Sequence, residues 1–429
     1  MKKLALKLAS LMLVIMLCMS VAGCYLFVLD KGDISELPNS NTVTQNVTFT
    51  TQDETEREVL SNVDAAAKVN RSVVAIQIDY TTNNAQGTAF GSGVIVEIEQ
   101  DTLSEGEYYI LTCHHVVSSC GNITVYVPDT NYRNWGDDDY DENYIFTGVI
   151  EADRKNNANN EVTLIGGDKD SDVAVLKLNT RNKDVDIVCS NVPVEDYKVA
   201  YAENVFAIGN PSGTLPMTFM AGNISYLRRN VSISSVGIME LLQHDVMINH
   251  GSSGGGLFNM YGELIGITNA GSDEYPGLNY AIPHDGTDGF INIASQLVGT
   301  YGEVENNFGY VSGRWNLGIV VETVQSPVQG SYVKIKSVEK GSNAYNKLVA
   351  EDYIVSVKYV DEDGKEVVSD ATTQAKFASI VNTLKKLYRQ DVENPGKFHI
   401  IVYRRGFGEL TIEIELKKQF IFCDTGYYN

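Results

Sequence analysis

The amino-acid sequence predicts a mainly β protein, with a large region of short strands followed by a smaller domain of mixed strands and one helix. Short runs rich in β-branched and aromatic residues, such as 72–79, 91–98 and 173–178, recur between Gly, Asn and Asp turns, which is typical of a barrel or a sandwich. The 24 Tyr and 37 Gly against 9 Pro also favour strands joined by many turns. No long amphipathic helices alternate with the strands, which argues against a doubly wound α/β fold.

The larger region covers residues 69–300, a length that one all-β domain can reach. A weakly patterned linker is expected at 301–312. Strand-like runs continue through 313–420, where residues 375–387 have helical spacing with apolar residues on one face. This second region is long enough for a small α+β domain.

The chain is acidic, with a formal net charge of -22 over 429 residues. A polyanionic nucleic acid would be repelled by this charge, so no nucleic-acid partner is expected. The acidic run at 136–142 is interpreted as a solvated surface loop rather than a cation site, because the spacing of an EF-hand is absent.

The N-terminus has the layout of an export signal. A basic head is followed by an apolar core at 11–21 and by small residues before Cys24, which predicts a signal peptide at 1–23. The sequence Ala-Gly-Cys at its end resembles the bacterial lipoprotein signal. That resemblance implies that Cys24 is acylated and becomes the first residue of the mature chain.

Apolar residues continue past this cysteine, so residues 4–29 are long enough to cross a bilayer as an uncleaved anchor, which is the alternative. The stretch that follows is rich in Thr, Asn and acidic residues, and 24–68 is expected to be a tether between membrane and domain. Both alternatives place the body of the protein outside the cytoplasmic membrane and anchored to it.

Outside the signal segment the cysteines allow three full pairings, among which the sequence does not choose. No Cys/His cluster has zinc spacing, so no metal is expected. The four residues concerned are Cys113, Cys120, Cys189 and Cys423.

The segment Gly-Ser-Ser-Gly-Gly at 251–255 suits a nucleophilic serine on a tight turn. Glycine permits the turn and a close approach of substrate, and backbone N–H groups there can hold a developing oxyanion. Taken by itself, such a run is also typical of a flexible loop.

Two further segments supply the partners that such a serine needs. An imidazole titrating near neutrality acts as general base, and 111–117 offers His114 and His115 after an apolar strand. A buried carboxylate orients the imidazole, and Asp170 and Asp172 open another apolar strand. The order His, Asp, Ser is that of chymotrypsin-type triads and differs from the order in α/β-hydrolases, which disfavours a lipase or esterase.

Over roughly residues 70–300 these motifs resemble those of the HtrA/Deg trypsin-like serine proteases. The family's histidine motif places the catalytic His before a Val pair, which selects His115. The run Asp-Val-Ala-Val-Leu resembles the acid motif and selects Asp172, and the stretch 245–256 selects Ser253 as nucleophile. The resemblance implies a chymotrypsin-like double β-barrel.

It also implies the surroundings of the nucleophile. The oxyanion hole would be formed by the turn of Gly251, Ser252 and Ser253. Met247, six positions before the nucleophile, would lie at the base of an apolar pocket for small or medium aliphatic side chains. The substrate backbone would add as a strand to Thr268, Asn269, Ala270 and Gly271.

The sequence departs from the family pattern at two positions beside the catalytic residues. His250 stands where the family has Pro before the nucleophile turn, and His114 stands where it has Asn or Tyr. Neither change removes a catalytic group, although loss of the rigid Pro can loosen the oxyanion turn.

In the second region, Arg-Trp-Asn-Leu-Gly-Ile at 314–319 resembles the carboxylate-binding loop of PDZ domains. In such a loop consecutive N–H groups capture a terminal carboxylate, and the next strand pairs with the peptide. A PDZ-like domain is therefore expected at 313–420, with C-terminal peptides held at Asn316, Leu317, Gly318 and Ile319.

Together these residues predict an extracytoplasmic serine endopeptidase. The resemblance implies unfolded or damaged exported proteins as substrates, a homotrimer, and no metal or organic cofactor. The alternative from another class is a catalytically quiet chaperone or peptide-binding scaffold, which the altered turn at His250 would favour.

Overall fold

The structure is a computed structural model. It describes residues 47–52, 57–82, 85–100, 103–118, 122–128, 144–149, 161–211, 217–233, 236–271, 275, 277–302, 308–311, 317–326, 330–338, 342–388 and 396–416. The signal segment with Cys24, the acidic loop 136–142 and Asn316 lie outside these ranges. Within them, no helix is both long and apolar enough to cross a membrane.

Strands dominate the described chain. They are, in order, β1 (Thr48–Phe49), β2 (Val73–Thr82), β3 (Ala85–Val96), β4 (Ile98–Glu99), β5 (Glu107–Cys113), β6 (Asn122–Val127), β7 (Tyr144–Val149), β8 (Val162–Asp168), β9 (Val173–Asn179), β10 (Asn204–Gly209), β11 (Thr218–Ile233), β12 (Gly237–His244), β13 (Gly256–Asn259), β14 (Leu264–Gly271), β15 (Asn279–Pro283), β16 (Ile319–Ser326), β17 (Gly330–Val338), β18 (Tyr353–Val360), β19 (Glu366–Asp370), β20 (Lys397–Arg404) and β21 (Gly408–Glu415). The helices are α1 (Asn62–Val69), α2 (His114–Val117), α3 (Phe290–Gly299) and α4 (Gln374–Leu387), with a 3₁₀ turn at Asn70–Ser72.

The first barrel is a seven-stranded antiparallel sheet in the order β7-β6-β2-β3-β5-β9-β8. Its edge strands β7 and β8 contact each other, so the sheet curls round a core. The β-branched and Leu side chains that predicted these strands fill that core, because alternate residues of a strand face the same side. Ile76, Ile78, Ile110 and Leu111 are fully buried there.

The second barrel is closed, in the order β10-β11-β12-β15-β14-β13. Phe206 stacks on Phe258 inside it, with ring centroids 5.4 Å apart. Buried residues of both barrels belong to one continuous hydrophobic cluster. The two barrels therefore pack as a unit, and the predicted double β-barrel is confirmed.

The second region has its own hydrophobic core. A sheet in the order β16-β17-β18-β20-β21, with β19 on β18, packs against α4. Phe377, Ile380 and Leu384 repeat at helical spacing along α4 and are buried in this core, and the Thr373 side chain caps the helix by accepting from the N–H of Lys376. The predicted mixed α+β region is confirmed.

Candidate active site

His115 and Asp172 meet between two neighbouring strands of the first barrel. Strand β5 ends at Cys113, so His115 lies one residue into α2, while Asp172 directly precedes β9. Because β5 and β9 pair, these chain ends are adjacent. The Nδ1 atom of His115 lies 2.6 Å from Oδ2 of Asp172, and the backbone N–H of His115 donates to Oδ1 at 2.8 Å.

The carboxylate of Asp172 is fully buried. Its backbone is in the left-handed region, with φ of 55°, which is uncommon for a residue with a side chain. The N–H of His114 donates to the carbonyl of Asp172 at 2.9 Å and helps to hold this conformation. The acid is thus fixed through both its backbone and its side chain.

The two candidate histidines differ in charge preference. Burial opposes charge on His115, but the attraction and hydrogen bond of Asp172 outweigh it and raise the pKa of His115 above 6.5. For His114 burial prevails and lowers the pKa. His115 is therefore the ring that can accept and keep a proton.

The two candidate aspartates also have separate roles. Asp172 faces His115, whereas Oδ1 of Asp170 lies 2.5 Å from Nζ of Lys385 on helix α4. The neighbouring turn is closed by the N–H of Ser171, which donates to Asp168 at 2.9 Å.

Ser253 lies on a turn that only glycines allow. Gly251 and Gly254 flank it with φ of 93° and 87°. The Ser253 hydroxyl donates to the carbonyl of Asn269 at 3.1 Å, and no hydrogen bond joins it to His115 in the described state. Such bonds are often long before substrate binds.

The first barrel supports this turn through Ser92, a residue that sequence reasoning did not single out. Its hydroxyl donates to the carbonyl of Gly251 at 2.8 Å, and its N–H donates to the carbonyl of Ser253 at 2.8 Å. A serine between two glycines of an apolar strand, Gly91 and Gly93, was the available signal.

The N–H groups of the turn divide into two kinds. That of Ser252 donates to the carbonyl of Asn249 at 2.9 Å, and so helps to form the turn. Among the described residues, the N–H groups of Gly251 and Ser253 have no such partner. These two donors are the ones available to an oxyanion.

A pocket opens beside the turn that carries Ser253, and Met247 lines it. Because this side chain is 55 % exposed, it is not a core residue, and it lies toward the pocket's surface rather than at a buried base. None of the lining residues is charged. They are Ala207, Ile208, Gly209, Pro211, Thr218, Met220, Met247, Ile248, Asn249, Ser252 and Thr268.

The predicted substrate strand is the end of β14. Thr268 is buried, and its hydroxyl donates to the carbonyl of Ser252 at 2.6 Å. A bulge between Thr268 and Ala270 lies at Asn269. Strand β13 pairs with β14 only as far as Ile267, so no strand of the described residues lies beside Ala270 and Gly271 on that edge.

Cys113, His115 and Asp172 offer donor atoms that all lie within 4.8 Å of one another, which makes them a candidate metal site by distance. Two nitrogen or oxygen ligands of a tetrahedral zinc lie about 3.3 Å apart, but the His115 and Asp172 atoms are at the hydrogen-bond distance of 2.6 Å. Burial also raises the pKa of the free thiol of Cys113, which disfavours the thiolate that binds metal. The group fits a hydrogen-bonded pair better than a metal site.

In the C-terminal region, Gly318 has φ of 64° directly before β16, and Leu317 is buried. Strand β16 pairs with β17 on one side, and its other edge lies against α4. The side chain of Gln374 donates to the carbonyl of Val321 on that edge at 3.0 Å.

Residues 91–267 match the family described as trypsin-like peptidase domain. This match includes His115, Asp172 and Ser253. The protein is therefore a serine peptidase of the trypsin-like class.

The curated relatives that match this chain are named serine proteases. The chain is 28 % identical over 415 residues to the serine protease Do-like HtrB of Bacillus subtilis, a match that covers 91 % of this chain and 78 % of the relative. It is 27 % identical over 311 residues to the serine endoprotease DegS of Haemophilus influenzae, covering 70 % and 78 %. A solved HtrA-type protease, AlgW with decapeptide, shares 20 % identity at a TM-score of 0.47, covering 84 % of this chain and 99 % of that one. These relatives are named HtrA or Deg serine proteases, which confirms the resemblance that the sequence motifs indicated.

Proposed function

We propose that this protein is an extracytoplasmic endopeptidase that cuts unfolded or damaged exported proteins, with Ser253 as nucleophile, His115 as general base and Asp172 as the orienting carboxylate. The observation that carries the proposal is the 2.6 Å contact between Nδ1 of His115 and the buried Asp172. That contact keeps a proton on Nδ1 and leaves Nε2 free to accept the proton of the nucleophile.

The reaction follows from these positions. The hydroxyl of Ser253 turns from the Asn269 carbonyl, attacks the scissile carbonyl carbon and gives its proton to Nε2 of His115. The N–H groups of Gly251 and Ser253 stabilise the oxyanion, and one such donor contributes on the order of 10²–10³ in rate. His115 then protonates the leaving amine, and water, deprotonated by the same ring, releases the acyl group from Ser253.

The substrate side chain would enter the uncharged pocket beside Met247. An apolar lining favours small or medium aliphatic residues, since nothing there pairs with a cation. The free edge at Ala270 and Gly271 supports pairing of the substrate backbone as an added strand. Preferred cleavage after Arg in a peptide library would refute this specificity.

The C-terminal region is proposed to bind C-terminal peptides as a PDZ-like domain. The left-handed turn at Gly318 and the edge of β16 beside α4 support this role. Capture there would bring unfolded chains to the active site or regulate it. A homotrimer belongs to the same proposal by resemblance alone.

The export signal supports a location outside the cytoplasmic membrane, with Cys24 lipidated or residues 4–29 as an anchor. One relative that agrees with this location is named periplasmic pH-dependent serine endoprotease DegQ, from Escherichia coli, at 29 % identity over 294 residues. The match covers 67 % of this chain and 53 % of that relative.

The test is hydrolysis of casein by residues 31–429 beside Ser253→Ala, with a fluorophosphonate probe as a second measurement. We expect turnover and labelling of the parent and loss of both in the variant. Absence of both from the parent, even with unfolded substrates and added C-terminal peptides, would contradict the proposal and favour the peptide-binding scaffold.

A further inference from the structure

Asn269 touches two members of the proposed triad. Its side chain is buried, and Nδ2 donates to Oδ2 of Asp172 at 2.6 Å. Its carbonyl accepts the hydroxyl of Ser253 at 3.1 Å. The bulge at this point of β14 accounts for the placement, because a bulge re-aims the side chain of the extra residue.

The carboxylate of Asp172 therefore accepts three hydrogen bonds. His115 donates its backbone N–H to Oδ1 and its ring N–H to Oδ2, and Asn269 donates to Oδ2 as well. Two donors thus share one oxygen. A second donor on that oxygen weakens its hydrogen bond to the imidazole, because the two donors share the same negative charge. It also restrains the carboxylate against rotation.

We propose that Asn269 is a positioning residue, whose amide sets how strongly Asp172 holds and charges His115. This inference rests on the proposed hydrolysis. It assigns to the side chain of Asn269 a role in the triad, in place of the substrate contact that its position in the sequence suggested.

The amide is not explained by packing. Its Oδ1 atom is buried and has no hydrogen-bond partner among the described residues, and Nδ2 also donates a long bond of 3.8 Å to the sulfur of Cys113. A buried unpaired oxygen is destabilising, so an aliphatic side chain would serve stability better here. The bond to Asp172 is the shorter of the two hydrogen bonds that this amide donates, and an aliphatic side chain could form neither.

Removing the amide of Asn269 should change the pKa of His115 in a predictable direction. With one donor fewer, the charge of Asp172 acts more strongly on the imidazolium, so the pKa of His115 rises further above its ordinary value. Because His115 must be neutral to accept a proton, activity then starts at higher pH. The other titratable groups that surround the pair are unchanged in the variant; they are Cys113, His114, Asp168 and Lys169.

The experiment measures kcat and KM against pH for the full chain in detergent, with Asn269→Ala and Asn269→Thr. For the alanine variant we expect kcat to fall about 10- to 100-fold, KM to stay within about twofold, and the acid limb to move to higher pH. The Asn269→Thr variant retains a hydrogen-bond donor, so it should restore much of kcat and return the acid limb toward its position in the parent. Asn279→Ala, a buried asparagine on β15, is the matched control and should leave the acid limb in place.

A second readout separates this inference from the proposed function. The titration of His115 is followed by NMR with ¹³C-labelled histidine in the Ser253→Ala background, where no turnover is needed. A higher pKa of His115 in Asn269→Ala, returned toward the parent value in Asn269→Thr, supports the inference even if the parent fails to hydrolyse substrate. An unchanged titration in Asn269→Ala overturns it, even if the parent is an active protease.

Discussion

The two barrels and the C-terminal region differ in how fully their polar groups are hydrogen-bonded. Around Asp172 the carboxylate is fully buried and accepts three hydrogen bonds. Along β16 no strand of the described part of the chain pairs with the edge beside α4, and the side chain of Gln374 donates to that edge. A reaction centre needs fixed groups away from water, whereas capture of a peptide needs backbone groups that are free to pair.

A substitution at a single glycine, Gly254, should disrupt the fixed groups of the barrels. A Cβ atom on Gly254 would lie 2.2 Å from the carbonyl oxygen of Ser92 and 2.3 Å from Oγ1 of Thr112, at φ of 87°. Gly254→Ala should therefore displace the turn that holds Ser253. We expect casein hydrolysis to fall by at least about 10²-fold, the value of one oxyanion donor, together with a lower free energy of unfolding.

Gly364 is the matched control in the C-terminal region. It has a similar φ of 76°, but an added Cβ would meet nothing within 4 Å. Gly364→Ala should cost about 1–2 kcal/mol of backbone strain and leave hydrolysis unchanged. If both variants lose activity equally, backbone strain rather than the crowded turn would be the cause.

The sequence predicted most of the site because its signals are local. His115 and Ser253 lie in short motifs, and the apolar periods of the strands and of α4 are read within a few residues. Other contacts join distant parts of the chain and leave no such signal. Ser92 supports a turn that lies 159 residues away. The bulge that turns Asn269 toward Asp172 is set by pairing with β15, which composition does not encode.

Acid should weaken the barrels more than the C-terminal region. His244 is fully buried in the second barrel, and burial lowers its pKa from 6.5 to about 4. The unfolded chain therefore takes up a proton before the folded one does. The stability contributed by the neutral ring is complete above about pH 6.5 and is lost as pH falls toward 4, at a cost of roughly 3 kcal/mol.

His244→Phe removes that proton site and should flatten the decline of unfolding free energy between pH 7 and 4.5, measured by urea titration. His114 and His284 are also buried with lowered pKa values, so part of the decline should remain. His399→Gln, at a partly exposed site in the C-terminal region, is the control and should follow the parent. If the free energy of unfolding of the parent stays constant over this pH range, protonation of these buried rings does not destabilise the fold, which would contradict the prediction.

The smallest effect is expected where the two regions meet. Lys385 of α4 contacts Asp170, two residues before Asp172, and both side chains are partly exposed. Such a pair contributes about 1 kcal/mol or less. The bond between Ser171 and Asp168 still closes the turn without it. Lys385→Ala should therefore change kcat/KM by less than about twofold, while limited proteolysis of the segment that links the two regions becomes faster.

Lys376→Ala provides the comparison, since Lys376 lies on the same helix as Lys385 but pairs with Asp370 of β19 inside the C-terminal region. It should alter neither the proteolysis of the linker nor the turnover. A tenfold loss of kcat/KM in Lys385→Ala alone would mean that the C-terminal region acts on the triad through Asp170. The site at His115 and Asp172 would then depend on the C-terminal region. A ligand that moves α4 would also move the turn that places Asp172 beside His115.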